Sequence, residues 1–105
     1  MTVSATFSVG VEFAWLRGPF RALVNLDDDF IELVPTGLLK RAGMKPVRAE
    51  RSDVLAIERD RWRRRGLRFR TRSRGIDRFI VVPNSTAQRK ALHAAMHEHG
   101  YPLSA

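Results

Sequence analysis

The sequence predicts an α+β fold, an antiparallel β roll or barrel of about six or seven strands capped by one C-terminal helix. Three observations predict it. Short segments up to Pro83 alternate apolar and polar residues, clusters of Gly, Pro, Asp and Arg separate these segments, and helix-forming residues follow Pro83. The 105 residues, 44% of them hydrophobic, fit one domain, residues 1–105, with its strands within about 3–83.

The first clear strand is FRALVNL, residues 20–26, in which apolar side chains recur at every second position. FIELVP, residues 30–35, predicts the next strand. The triplet Asp27-Asp28-Asp29 between them predicts a tight hairpin turn, because Asp hydrogen-bonds its own backbone and tolerates turn dihedrals. Residues 3–16 are apolar enough for a further strand, which pairs either within the chain or with a second copy. Core filling is the default for the apolar cluster Phe13, Trp15, Leu16 and Phe20. If residues 3–16 form a strand, some of these side chains must face outward, and an exposed apolar edge would then be a homodimer or partner interface.

The middle of the chain predicts a short strand or turn and a loop over residues 36–46, and then four strands. These are VRAE (47–50), VLAIERDRW (54–62), GLRFRTR (66–72) and DRFIVVP (77–83). GLRFRTR has the clearest period of two. Leu67, Phe69 and Thr71 lie on one face, and Arg68, Arg70 and Arg72 lie on the other.

Residues 85–99 predict one amphipathic helix. Ser85 and Gln88 have the spacing of a capping box, and Gly100 followed by Tyr101-Pro102 is a stop signal. The apolar stripe that should pack on the β core consists of Ala91, Leu92, Ala95 and Met96.

The excess positive charge is concentrated in one segment. Residues 59–75 contain nine arginines and one acidic residue, which accounts for the whole net charge of +8. A segment of this sign attracts phosphate-rich or acidic partners, and salt weakens that attraction. The candidate anion- or partner-binding residues are Arg61, Trp62, Arg63, Arg64, Arg65, Arg68, Arg70, Arg72 and Arg74.

A simpler interpretation is that these arginines form the solvated face of a β-hairpin. Glu58, Asp60 and Asp77 would then partly neutralise them. The chain also uses sixteen Arg and only three Lys, the bias expected of G+C-rich codons, so its overall basicity is weak evidence for nucleic acid. The discriminating observation is whether the arginines are paired with carboxylates in the structure.

Other functional classes lack their sequence signals. The chain has no Cys, which excludes disulfides and thiolate chemistry. No apolar run approaches the roughly 20 residues that span a bilayer, and the N-terminal segment lacks the basic region of a secretory signal, so we expect a cytoplasmic location. Neither a nucleophile elbow around Ser52 nor a phosphate-cradling glycine loop is present. We therefore predict no enzyme, no cofactor and no small-molecule substrate.

Two groups of residues raise the question of a metal. His93 and His97 are four positions apart on the predicted helix, but Ala94 stands where the zinc-protease pattern requires Glu, and no third ligand is evident. The aspartate triplet also lacks further ligands in sequence. We expect a structural turn, surface histidines and no metal site.

The order of these motifs resembles the pleckstrin-homology-like superfold, particularly its small bacterial versions. The resemblance covers residues 18–100 and is carried by FRALVNLDDDFIELV, RSDVLAIE, GLRFRTRSRGIDRFIVVP and STAQRKALHAAMHEHG. It implies two nearly orthogonal antiparallel sheets capped by a helix, and a binding module for phosphoinositides, peptides or other proteins. Lipid-binding members carry a basic motif in the loop that joins the first two strands. We expect that loop here to be Asp27-Asp28-Asp29, whose carboxylates would repel an inositol phosphate.

The leading functional expectation is a non-enzymatic binding module whose basic face, Arg61 to Arg74, contacts an acidic protein or an anionic membrane surface. A second hypothesis is a small nucleic-acid-binding protein that uses Trp62 of the same face as a stacking platform. A third is a structural or oligomeric protein whose arginines only contact water.

Overall fold

Seven antiparallel strands form one curled sheet in the computed structural model, which describes residues 4–13, 20–61 and 66–104. The strands are β1 (Ala5–Phe13), β2 (Phe20–Leu26), β3 (Phe30–Thr36), β4 (Val47–Glu50), β5 (Val54–Arg59), β6 (Leu67–Thr71) and β7 (Phe79–Val82), and the helices are α1 (Gly37–Arg41) and α2 (Thr86–Glu98). The order across the sheet is β4-β3-β2-β1-β7-β6-β5. The predicted α+β class, an antiparallel β roll or barrel of about six or seven strands with a C-terminal helix, is confirmed, and the sheet has the form of a curled half-barrel.

The N-terminal strand lies in the middle of the sheet and pairs within the chain. β1 pairs along its length with β2 and also with β7, where Gly10 lies opposite Val82 and Phe13 opposite Phe79. The ring of Phe13 packs edge-on against Phe20, with 5.7 Å between centroids. Phe13 and Phe20 therefore contribute to the core. The two other apolar residues of this region, Trp15 and Leu16, lie outside the described residues.

The core lies between the concave face of the sheet and α2. Alternate residues of the strands and one stripe of the helix are buried there, including Val9, Val11, Val24, Leu26, Ile31, Leu33, Ile57, Leu67, Leu92 and Met96. Leu92, Ala95 and Met96 are buried as their helical spacing predicts, but Ala91 is exposed. The prediction for Ala91 was wrong because the buried stripe of α2 is narrower than the number of apolar residues in the helix suggests, and Ala91 lies outside it.

Local signals in the sequence explain how α2 begins and ends. The Ser85 hydroxyl accepts the Gln88 amide N–H at 3.0 Å, as expected of an N-cap. The Gln88 side chain, however, accepts from the Asn84 amide and donates to the Ser8 carbonyl, which attaches this helix end to β1. Gly100 has a φ of 80°, the left-handed geometry that glycine adopts easily after a helix.

Several bounds differ from the sequence prediction. Residues 37–41 form α1 where a short strand or turn was expected; buried Leu39 fixes this helix to the core. The strand expected at 54–62 ends at Arg59, and a 3-10 turn at Ile76–Arg78 precedes β7. The aspartate triplet joins β2 to β3, so the expectation that it is the loop between the first two strands was wrong. The residues between β1 and β2, 14–19, lie outside the described residues.

Both edges of the sheet belong to short strands. β4 pairs with β3 at one edge, and β5 pairs with β6 at the other. On the outer side of β5, Ile57 donates its N–H to the Pro102 carbonyl at 2.9 Å and accepts the Ser104 N–H at 2.9 Å. The segment 102–104 thus covers the middle of this edge.

Candidate anion-binding surface

The two arginines within β6 face solvent, as their alternation predicts. The side chains of Arg68 and Arg70 are 47% and 67% exposed, whereas Leu67 and Phe69 are buried. The neighbouring strand places carboxylates beside both arginines. Arg70 Nη1 lies 3.2 Å from Glu58 Oε1. Arg68 Nε lies 3.9 Å from Asp60 Oδ1. The centre of the predicted basic face is therefore charge-paired, as the simpler interpretation expects.

The other candidates lie beyond the two ends of β6. Arg61 follows β5, and Arg72 and Arg74 follow β6; all three are exposed. In the part of the chain that the structure describes, the guanidinium groups of these three arginines form no ion pair or hydrogen bond. Five residues of strand extend over roughly 14 Å, so Arg61 is well separated from Arg72 and Arg74. Trp62, Arg63, Arg64 and Arg65 lie outside the described residues.

Arg72 and Arg74 share one end of the half-barrel with a second basic segment. Phe13 connects the strands at this end, because its ring contacts both Phe20, where β2 begins, and Phe79, where β7 begins. α1 leaves the same end, since Thr36 at the end of β3 pairs with Arg21. A side chain on Gly75 would meet Val47 Cγ1 at 3.0 Å, so the β6–β7 connection lies against the start of β4.

We call this surface the basic end. It consists of Leu38, Lys40, Arg41, Lys45, Arg72, Arg74 and Arg78, all of which are exposed. Within the described residues, these six cationic side chains have no ion-pair partner. The neighbouring carboxylates of Asp53 and Asp77 accept hydrogen bonds from Ser73 Oγ and from the Gly75 amide. Leu38 is 63% exposed, the highest value among the exposed large apolar residues described.

Sequence reasoning found only Arg72 and Arg74 of this surface. The two basic segments are about thirty residues apart in the chain, and the order of the strands in the sheet brings them to one end. The sequence LLKRAGMKP, residues 38–46, was the signal for most of the other members of the basic end. Its first leucine, Leu38, belongs to no alternating apolar pattern, and three cations follow it.

The aspartate triplet has a structural role. Asp27 Oδ1 accepts the amide N–H groups of Asp29 and Phe30 at 2.8 and 3.0 Å, which forms an Asx turn. The Asp28 carboxylate lies 2.8 Å from His99 Nδ1. Within the ranges that the structure describes, no three His, Asp or Glu side chains lie close enough together to hold a metal ion.

An open cleft of about 680 Å³ lies beside this turn. Its two arginines are engaged in contacts with neighbouring residues. Arg48 stacks 3.9 Å over the Phe30 ring and donates to Glu32 at 3.2 Å. Arg51 Nη1 donates to the His99 carbonyl at 3.3 Å. The cations of the cleft are therefore less available to an anion than those of the basic end.

Comparisons of the chain with family models, with curated proteins and with solved structures found no match. The arrangement of seven strands and a capping helix is compatible with a pleckstrin-homology-like fold. Among the helices described, none is both long and apolar enough to cross a membrane.

Proposed function

We propose that the chain is a non-enzymatic interaction module of the pleckstrin-homology-like type that docks through its basic end on an anionic membrane surface. The observation that carries the proposal is the exposure of Leu38 among six cationic side chains without ion-pair partners in the described chain. An exposed apolar side chain with cations at the same end of the half-barrel suits a membrane surface. Such a surface offers anionic headgroups and, directly beneath them, hydrocarbon.

The charges support docking in magnitude as well as in sign. Each Lys or Arg near an anionic leaflet contributes roughly 1 kcal/mol of attraction. Several such contacts give reversible membrane association, and insertion of one leucine adds to it. The two central arginines of β6 contribute less, because Glu58 and Asp60 already partly satisfy them.

An acidic protein partner is the alternative for the same surface, and nucleic acid is the alternative for the arginine-rich hairpin. An acidic protein would use the cations but would leave Leu38 without a specific role. Base stacking would require an aromatic platform, and the described residues of the basic end include no aromatic side chain. Membrane docking therefore accounts for more of the described surface.

The test is sedimentation of the protein with vesicles of phosphatidylcholine alone and of phosphatidylcholine mixed with phosphatidylglycerol, at low and moderate salt. Two double variants remove the same charge from the same segment: Arg72→Gln with Arg74→Gln, and Arg68→Gln with Arg70→Gln. We expect binding to the anionic vesicles only. The first pair should weaken that binding by about thirtyfold, from roughly 2 kcal/mol of lost attraction. The second pair should weaken it severalfold less.

Three results would contradict the proposal. They are the absence of salt-sensitive binding to anionic vesicles, an equal effect of the two double variants, or binding to a random oligonucleotide that is tighter than binding to the vesicles.

A further inference from the structure

A second cluster of cations lies away from the basic end, between the end of β5 and the helix α2. Arg59 is the last residue of β5 and pairs directly with Leu67 of β6, which is buried. Directly opposed residues of two antiparallel strands share a face of the sheet. Arg59 therefore extends from the concave face, the side on which α2 packs, and its side chain is exposed.

The helix presents two more groups to this region. Arg89 and His93 are four positions apart on α2, so they lie on one helical face, and both are half-buried. His93 Nε2 is buried and has no hydrogen-bond partner among the residues that the structure describes. A buried polar atom without a partner loses its hydration without compensation, which is why native structures contain few of them.

The surroundings of His93 are positive. Burial lowers the pKa of His93, and the charges of Arg89 and Arg59 lower it further, in that order of importance. Among described residues, neither arginine forms an ion pair or a side-chain hydrogen bond. The two acidic residues adjacent to Arg59 in sequence are Glu58, which lies 3.2 Å from Arg70, and Asp60, which lies 3.9 Å from Arg68. On α2 itself, the neighbours Lys90 and His97 are exposed and add no negative charge.

We propose that Arg59, Arg89 and His93 form a binding site for a phosphate dianion. Two guanidinium groups balance the two charges of the dianion, and their planar N–H donors suit its oxygens. Neutral His93, in the tautomer that carries the proton on Nε2, donates a third hydrogen bond and thereby gains the partner it lacks. This site does not depend on the proposed membrane docking, which uses residues at another end of the half-barrel.

The proposal is tested by NMR of the histidine rings in the full chain at neutral pH, during titration with inorganic phosphate at constant ionic strength. Phosphate should shift the His93 resonances in a saturable way and leave those of exposed His97 unchanged. Arg59→Gln and Arg89→Gln should each weaken the effect at least tenfold, since each removes a charge-assisted contact. Arg78→Gln, which removes an equally exposed cation from the basic end, is the matched control and should preserve it.

A second arm identifies the source of the phosphate. Vesicles that contain phosphatidic acid present a phosphate monoester on a lipid, and free inorganic phosphate presents it in solution. Competition between the two for the His93 signal would assign the site to a lipid headgroup, and a response to inorganic phosphate alone would assign it to a soluble ligand. The site is disproved if phosphate leaves His93 unmoved, or if Arg59→Gln and Arg89→Gln respond like Arg78→Gln. If one variant does not fold, the wild type and the other variant still decide.

Discussion

His99 Nδ1 lies 2.8 Å from the Asp28 carboxylate, although the two residues are 71 positions apart in the chain. The imidazole is 3% exposed and the carboxylate 41% exposed. A further bond joins the same elements, since the Tyr101 hydroxyl donates to the Asp27 carbonyl at 2.8 Å. The amide of Arg51, just after β4, donates to the Asp29 carbonyl of the same turn at 2.8 Å. The β2–β3 turn thus anchors the end of α2 over the core.

Replacement of Asp28 by Asn should lower the free energy of unfolding by about 1 to 2 kcal/mol, because it weakens a bond between a carboxylate and a buried imidazole. The adjacent Asp29→Asn is the matched control. Its side chain is exposed, so it should change stability by less than about 0.5 kcal/mol. Urea unfolding of both variants at neutral pH measures the difference. Equal effects would show that the turn, rather than the Asp28–His99 contact, determines stability.

Tyr101→Phe should cost about 1 kcal/mol, since it leaves the Asp27 carbonyl without its donor. Tyr101 is 4% exposed. Burial raises its pKa, and the charge of Asp27 raises it further, so the hydroxyl remains a donor across the neutral range. Ser104→Ala serves as a control, because its hydroxyl lies 3.3 Å from an Ile57 carbonyl that already accepts a backbone N–H. A larger loss in Ser104→Ala than in Tyr101→Phe would contradict this assignment.

Acid should destabilise the protein in part through His93. Its pKa in the folded state is below the ordinary value of 6.5, so the unfolded chain binds the proton first as the pH falls. Stability is then lost as the pH falls through 6.5 towards the lowered value. His93→Gln should remove this contribution and flatten the unfolding free energy between pH 7 and pH 5. The same slope in wild type and His93→Gln would refute the prediction.

Leu38→Ser should weaken binding to anionic vesicles about five- to tenfold without changing its dependence on salt, because the lost contribution is apolar. Arg72→Gln with Arg74→Gln should reduce both the affinity and the salt dependence. Vesicle sedimentation over a series of salt concentrations separates the two effects. An unchanged affinity in Leu38→Ser would favour an acidic protein as the partner of the basic end.

The elements that were predictable from sequence are those in which apolar residues recur at a regular spacing along the chain. β6 and α2 are examples, since Phe69 and Leu92 are buried where periods of two and of 3.6 place them. β1 also alternates, with Phe7, Val9 and Val11 on one face; its assignment was left open because its pairing with β7 depends on residues far along the chain. The strand count then started one strand late and misassigned the aspartate turn.

The candidate surface was less predictable than the fold. Arginine density in residues 59–75 suggested a continuous row, but the cross-strand positions of Glu58 and Asp60 neutralise its centre, and this depends on register. Lys40 and Lys45 lie at the same end of the half-barrel as Arg72 and Arg74 because of the order of the strands in the sheet. The unpartnered nitrogen of His93 has no signature in sequence, because it depends on which face of α2 packs on the sheet.

The segment 102–104 has a consequence for aggregation. It forms backbone hydrogen bonds with Ile57 at the outer edge of β5, within the apolar run VLAI of residues 54–57. An uncovered apolar edge strand is a template on which other chains add strands. A chain cut after Tyr101 should therefore retain the sheet but associate through β5, and light scattering during storage should reveal this association. Pro102, Leu103 and Ser104, which belong to neither candidate site, thus protect the edge of β5 from self-association.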